Sequence, residues 1–291
     1  MLPDELRLFA GRHVPGTGPV DIHRSGGGLV NETYRVLRDG VTYALRVVAA
    51  NPYYLGVDRD WEGQVLKAAC AADLAPAVEH FDPRRGILIT RWEAGQSWSE
   101  AAVRRPTNIR RMAGLMRRIH ALPVPTPARL MSPAKWIDYY WAGAHAGAAA
   151  ALRPTATLQL ALLARLPMAA PALCHSDLHS LNLIDRGASL ILLDWEYAHA
   201  SDPLWDLASW SANNDLEDSL QHDLLKSYLL RSPTGNEYLR LRLLGWLYDY
   251  VCLLWSELYL NLAREGRPDA AVASRTQLLS ERLTHQSSRA T

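Results

Sequence analysis

The stretch from Leu173 to Trp210 constrains this chain more than any other. It contains Leu-Cys-His-Ser-Asp-Leu-His-Ser-Leu-Asn-Leu-Ile, then Leu-Ile-Leu-Leu-Asp-Trp-Glu-Tyr, then Asp-Pro-Leu-Trp-Asp-Leu-Ala. Asp177 and Asn182 stand at the two ends of D-x-x-x-x-N, and His175 extends the pattern to H-x-D-x-x-x-x-N. A carboxylate and an amide at this spacing suit a base for a hydroxyl proton and a neutral oxygen ligand for a metal. Asp194 closes the apolar run Leu190–Leu193, and the spacing predicts a short hairpin that returns it to Asn182 as a second ligand. Asn182, Asp194 and nucleotide phosphates offer the oxygen set that hard Mg2+ prefers. The pattern points to phosphoryl transfer, with Asp177 and His175 as the catalytic pair.

With its sequel Asp194-Trp195-Glu196-Tyr197, the block resembles the aminoglycoside phosphotransferase and choline kinase superfamily. It is most similar to the bacterial choline/ethanolamine kinase and thiamine kinase branch. The likeness runs from about Ser25 to about Tyr259, and it departs where many relatives carry Gly-Pro and this chain has Ser180-Leu181. It implies an α+β, protein-kinase-like bilobal fold with a small β-rich lobe (1–92) that binds ATP and a larger helical lobe (93–291). It also implies that Asp206 lies under the catalytic loop and braces its backbone.

Composition narrows the alternatives. A chain of 291 residues with a formal net charge of +1 has no global field that would draw it to nucleic acid or a membrane surface. Cys70, Cys174 and Cys252 are odd in number and widely spaced, which fits a reduced, cytoplasmic protein. No basic and apolar leader opens the sequence, and the apolar segment 243–262 is interrupted by Asp249 and Glu257, so it reads as a buried helix.

Upstream, Ser25-Gly26-Gly27-Gly28 runs through Asn31 into an alternating strand, a turn whose amides can approach phosphates closely. Val41–Val48 alternates as a strand, with Arg46 where a kinase places the basic residue that holds the α- and β-phosphates. Glu62, in a helix opened by Asp58, is its expected ion-pair partner. Thr90, Arg91 and Trp92 close a further strand at the position of a kinase hinge, where backbone groups would meet adenine.

The acceptor is expected to be a small cationic alcohol: choline, ethanolamine or thiamine. In the last long helix Trp246, Asp249 and Tyr250 share one stripe, and rings with carboxylates suit an ammonium group that cannot donate hydrogen bonds. Glu196 and Tyr197 would add to that pocket. The opposite stripe, from Tyr248 to Tyr259, reads as core. An amino sugar or aminoglycoside is the alternative acceptor, and a nucleotide-binding protein without catalysis is a further alternative. His175-Ser176-Asp177-Leu178-His179 also spells a possible Zn2+ cluster.

Overall fold

The structure, a computed structural model, describes residues 3–27, 30–48, 55–144, 147–262 and 270–288. The elements begin with α1 (Pro3–His13), β1 (Asp21–Gly27), β2 (Asn31–Arg38), β3 (Val41–Val48), α2 (Arg59–Ala71), β4 (Val78–Asp82) and β5 (Ile87–Arg91). Next come α3 (Glu100–Val103), α4 (Pro106–His120), α5 (Pro133–Trp141), α6 (Ala148–Leu163) and the short strands β6 (Ala172–Cys174), β7 (Leu183–Asp185), β8 (Leu190–Leu192) and β9 (His199–Ser201). The chain ends in α7 (Leu204–Asn213), α8 (Asp218–Leu229), α9 (Gly235–Leu262) and α10 (Ala270–Ser288). The protein is α+β. Two compact units divide it: Met1–Trp98, Leu122–Pro125 and Leu181–Ala198 form the first, and Ser99–Ala121, Thr126–Ser180 and His199–Thr291 the second.

The first unit is built on an antiparallel sheet of order β1-β2-β3-β5-β4. Strand pleating sends alternate side chains to opposite faces. Tyr43, Leu45 and Val47 of β3 therefore pack with Val36, Ile87, Ile89, with Leu6, Phe9 and Ala10 on the buried side of α1, and with Val14 just beyond it. Arg46 lies between them in sequence, paired across the sheet with Thr33 and Leu88. Helix α2 starts at Asp58, whose carboxylate accepts from the Trp61 amide at 3.0 Å, a capping bond that satisfies an otherwise orphaned donor. It buries Trp61, Val65, Leu66 and Ala69, and also Arg59 and Glu62.

The β7–β8 hairpin belongs to the same unit. Its anchors are the mutual backbone bonds of Gln96 and Asp185 at 3.2 and 2.9 Å and the Leu192 amide on the Leu74 carbonyl at 2.9 Å. Gly95 has φ +155, and a Cβ there would meet the Asp185 carbonyl oxygen at 2.5 Å. Only glycine lets the two segments approach this closely.

The second unit is helical. Helix α4 buries Ile109, Met112, Leu115, Met116 and Ile119, the stripe its 3.6-residue periodicity predicts. Helix α9 is buried nearly all round, as befits a helix inside a bundle, and it begins eight residues earlier than the expected Leu243. Among the described residues no helix is long and apolar enough to cross a membrane.

Candidate active site

In the first unit the predicted hairpin forms: Leu183 pairs with Leu192, and the Leu193 amide donates to the Asn182 carbonyl at 2.8 Å. Asn182 is buried at the end of a 3-10 turn, and Asp194 follows the hairpin with φ +59. A left-handed backbone outside glycine is uncommon and gathers at functional sites. Their side chains are oxygen donors of the kind that fits Mg2+.

Arg46 donates to Asp194 Oδ1 at 2.6 Å through Nη1 and to Glu62 Oε1 at 2.5 Å through Nη2. Burial opposes its charge, but Glu62, Asp194 and Glu196 outweigh that and hold the guanidinium protonated. Arg59 completes the cluster, donating to Glu62 at 2.7 Å, Glu196 at 2.8 Å and Asn31 at 3.3 Å. Asn31 in turn donates to Glu196 at 2.8 Å. Glu196 is therefore enclosed by Arg59 and Asn31. Burial, then the Asp194 charge, pushes its carboxyl up against the pull of Arg46 and Arg59. Sequence reasoning passed over Arg59, although its i,i+3 spacing to Glu62 is a helical ion-pair signal.

Gly26 and Gly27 end strand β1, paired with Thr33 and Glu32, and Gly28 lies outside the described residues. Thr90 is buried, and Trp92 is partly exposed with the Arg35 guanidinium 5.4 Å from its ring centre. The Arg91 amide donates to the Ala77 carbonyl at 2.8 Å and the Trp92 amide to Thr42 at 3.1 Å. These two N–H groups are therefore engaged within the sheet, so the expected meeting of adenine with backbone near Arg91 falls to other backbone atoms there. Tyr197 is half-buried in the turn after the hairpin.

In the second unit the turn carrying Asp177 is fixed from below. The Asp206 carboxylate accepts the His175 amide at 3.0 Å and the Ser176 amide at 2.8 Å, while Ser176 takes φ +71. His120 contacts Asp206 at 3.1 Å and Tyr228 at 2.8 Å. Burial works against the Asp206 charge, yet His120, His175 and the Ser176 amide bring its pKa below the ordinary value.

Asp177 itself lies 3.7 Å from His179 Nε2. Burial would raise its carboxyl, but His179, then His175 and Arg275, bring it to about 2. The Tyr248 hydroxyl donates to it at 3.5 Å and accepts from Asn213 Nδ2 at 2.8 Å. The same Asn213 amide group donates to the Leu178 carbonyl at 3.1 Å, and Arg275 reaches Asn213 Oδ1 at 3.5 Å. Tyr248 was expected to be ordinary core, and this is the correction: the stripe read as filler carries the hydroxyl that meets Asp177. Burial, then Cys252 and Asp177, holds its phenol above the ordinary value, so it remains a donor.

The stripe expected to line the acceptor is engaged elsewhere. Asp249 pairs with Arg282 at 2.5 Å, the Tyr250 hydroxyl donates to the Ala149 carbonyl at 2.9 Å, and Trp246 stacks on Tyr250 with ring centres 5.5 Å apart. Among the described residues, the group whose ligand atoms could share a metal ion is His120, Cys174 and Asp206, not the H-x-D-x-H triplet. Its members are already committed: His120 and Asp206 hold the turn, and the Cys174 thiol lies 3.5 Å from the Asp202 carbonyl.

The sequence model of the phosphotransferase enzyme family matches residues 21–244. The chain belongs to that family. Solved structures of similar fold include a choline/ethanolamine kinase family protein from Mesorhizobium loti, 25% identical with a TM-score of 0.79, covering 98% of this chain and 94% of that one. Choline kinase LicA from Streptococcus pneumoniae is 19% identical with a TM-score of 0.79, covering 97% and 98%. Spectinomycin phosphotransferase APH(9)-Ia is 11% identical with a TM-score of 0.64, covering 98% of each chain. No curated protein sequence matches the chain. Family membership makes this a phosphotransferase fold in which the pinned Asp177 turn and the Asn182–Asp194 hairpin occupy the diagnostic stretch of the sequence.

Proposed function

We propose that the chain transfers the terminal phosphate of ATP, with Mg2+, to the hydroxyl of a small-molecule alcohol. The observation that carries this reading is the Asp177 turn: a carboxylate held ionised on a backbone pinned by Asp206 through two amides. A base fixed this way is positioned before the acceptor arrives, which is where most of the rate in such reactions originates. Asp177 accepts the hydroxyl proton, and the Tyr248 hydroxyl and His179 orient its two oxygens. Asn182 and Asp194 are the residues that would hold Mg2+, and Arg46 the residue that meets the phosphates. Bound Mg2+ supplies neutralisation of charge on the phosphate oxygens. LicA has been solved in complex with AMP, which supports a nucleotide as the donor here.

For the acceptor, the likeness to choline/ethanolamine kinases supports choline or ethanolamine, and thiamine is a further cationic alcohol of the same kind. A second reading rests on a specific observation. The charges acting on Asp177 are His179, His175 and Arg275, all basic, and Asp249 is paired with Arg282. This surrounding favours an alcohol bearing a carboxylate or no charge over a quaternary ammonium. The test is ADP release, with ATP and Mg2+, against choline, ethanolamine, thiamine, an amino sugar, an aminoglycoside and a hydroxycarboxylate. Turnover with one class identifies the acceptor; ADP release that no acceptor stimulates defeats the small-alcohol assignment.

A further inference from the structure

The turn that carries Asp177 is held on both sides by one helix, α7. Before Asp177, the His175 and Ser176 amides donate to the Asp206 carboxylate at 3.0 and 2.8 Å. After it, the Leu178 carbonyl accepts from Asn213 Nδ2 at 3.1 Å. Asp206 and Asn213 lie seven positions apart, toward the two ends of α7, a spacing that puts both side chains on one face of a helix. The N–H groups meet a side chain that can only accept, and the C=O group meets one that donates. Each end of α7 thus carries the polarity that its part of the turn requires.

Asn213 also sets the direction of a hydroxyl. The same Nδ2 donates to the Tyr248 oxygen at 2.8 Å. A carbonyl cannot donate, so the amide must turn its nitrogen toward Leu178, and Arg275, 3.5 Å from Oδ1, requires the oxygen on the other side. A phenol oxygen that receives a hydrogen from Asn213 has its own hydrogen left for Asp177 Oδ1, 3.5 Å away. The Tyr248 ring is buried, and Trp205 of α7 meets it edge to face with ring centres 5.4 Å apart, so the hydroxyl has little room to turn elsewhere. From Asn213 through Tyr248 to Asp177 the donors all point one way, and hydrogen bonds in such a chain strengthen one another.

We propose that Asn213 is a positioning residue for the phosphoryl transfer: through the Leu178 carbonyl it fixes the backbone that follows the base, and through Tyr248 it aims a hydroxyl at the base itself. Its action is exerted on Asp177, and the assignment rests on the reading of Asp177 as that base. Asp206 and Asn213 then form a two-point clamp, and neither point alone holds the turn in register with the reacting groups.

The experiment follows ADP release by the full chain, with ATP and Mg2+, against choline, ethanolamine, an amino sugar, a hydroxycarboxylate and water alone. Asn213→Leu keeps the side-chain volume and removes both donors, and Asn213→Asp keeps the shape and an oxygen for Arg275 but cannot donate. Each is expected to lower kcat at least about tenfold with KM for ATP unchanged; a residue that only filled space would be replaced by leucine without loss of rate. Tyr248→Phe is expected to lower kcat about fivefold in the wild-type background and less than about twofold in Asn213→Leu, where the hydroxyl has lost the partner that aims it. Thermal unfolding shows whether each variant is folded; should Asn213→Leu fail to fold, Asn213→Asp takes its place in the comparison. Wild-type kcat in a folded Asn213→Leu overturns the proposal, as does a raised KM for ATP in place of a lowered kcat, or single effects that multiply in full in the double variant. Asp177→Ala separates this failure from a wider one. If that variant is inactive, the base stands and only the role of Asn213 falls; if it turns over at the wild-type rate, both fall.

Discussion

The guanidinium of Arg46 is bonded to the carboxylate of Asp194 at 2.6 Å, so the basic residue of β3 and the aspartate after the β7–β8 hairpin meet directly inside the first unit. Its other nitrogen holds Glu62, which is fully buried. One side chain thus neutralises a structural carboxylate and touches a predicted metal ligand.

Removing that side chain has two readouts. Arg46→Ala is expected to cost about 3 kcal/mol of stability in urea unfolding, because Glu62 keeps a buried charge with only Arg59 opposite it, and to abolish turnover. Arg46→Lys is expected to lose less stability yet remain slow, since an ammonium cannot span both carboxylates as a planar fork does. Unchanged stability in Arg46→Ala would show that the cluster is not held by this residue.

Asp206 acts on Asp177 only through the backbone. Asp206→Asn presents one amide hydrogen-bond donor to N–H groups that need acceptors, and the turn is expected to shift. A displacement of this kind is expected to lower kcat by about 10²-fold, whereas nucleotide affinity, which the proposed reading assigns to first-unit residues, is expected to stay the same. Titration calorimetry with ATP beside steady-state kinetics separates the two.

Asp249 gives a pH prediction. Burial, opposed by Arg282, pushes its carboxyl up to about 6. A raised carboxyl contributes stability that is present below the unfolded value near 3.8 and is lost as pH rises through about 6. Asp249→Asn is therefore expected to be more stable than wild type at pH 8, by up to about 3 kcal/mol, with the advantage shrinking toward pH 4. Thermal unfolding across that range checks the sign. A variant that is less stable at pH 8 would show that the Arg282 pair outweighs burial.

Much of this arrangement was legible in the sequence. The D-x-x-x-x-N spacing, the apolar run before Asp194 and the alternation around Arg46 each specify local geometry, and the hairpin, the central strand and the Arg46–Glu62 pair all form. The Asp206 brace followed from the family resemblance, and the structure shows its two backbone bonds. Tyr248 was not legible, because helix periodicity assigns faces but a helix buried on every side has no face that periodicity can single out. Asn213 and Arg275 meet Asp177's surroundings from α7 and α10, contacts made by tertiary packing with no local spacing to announce them. His120 meets Asp206 across eighty-six residues, a partner that the periodicity of its own helix gives no means to infer.

Arg275 is one of the basic groups acting on Asp177, and charge reversal there tests the acceptor. Arg275→Glu is expected to raise KM at least about tenfold for a carboxylate-bearing alcohol and to lower it for a cationic one. If kcat falls equally for every acceptor while KM is unchanged, Arg275 acts on the transferred phosphate instead.

The most direct test of the central claim compares wild type with Asp177→Ala in ADP release and in ³¹P NMR of the phosphorylated acceptor, at saturating ATP and Mg2+. Turnover in the variant is expected to fall by at least about 10²-fold to 10⁴-fold, with ATP affinity and thermal unfolding unchanged. An Asp177→Ala protein that forms phosphorylated product at the wild-type rate would contradict the assignment of Asp177 as the base.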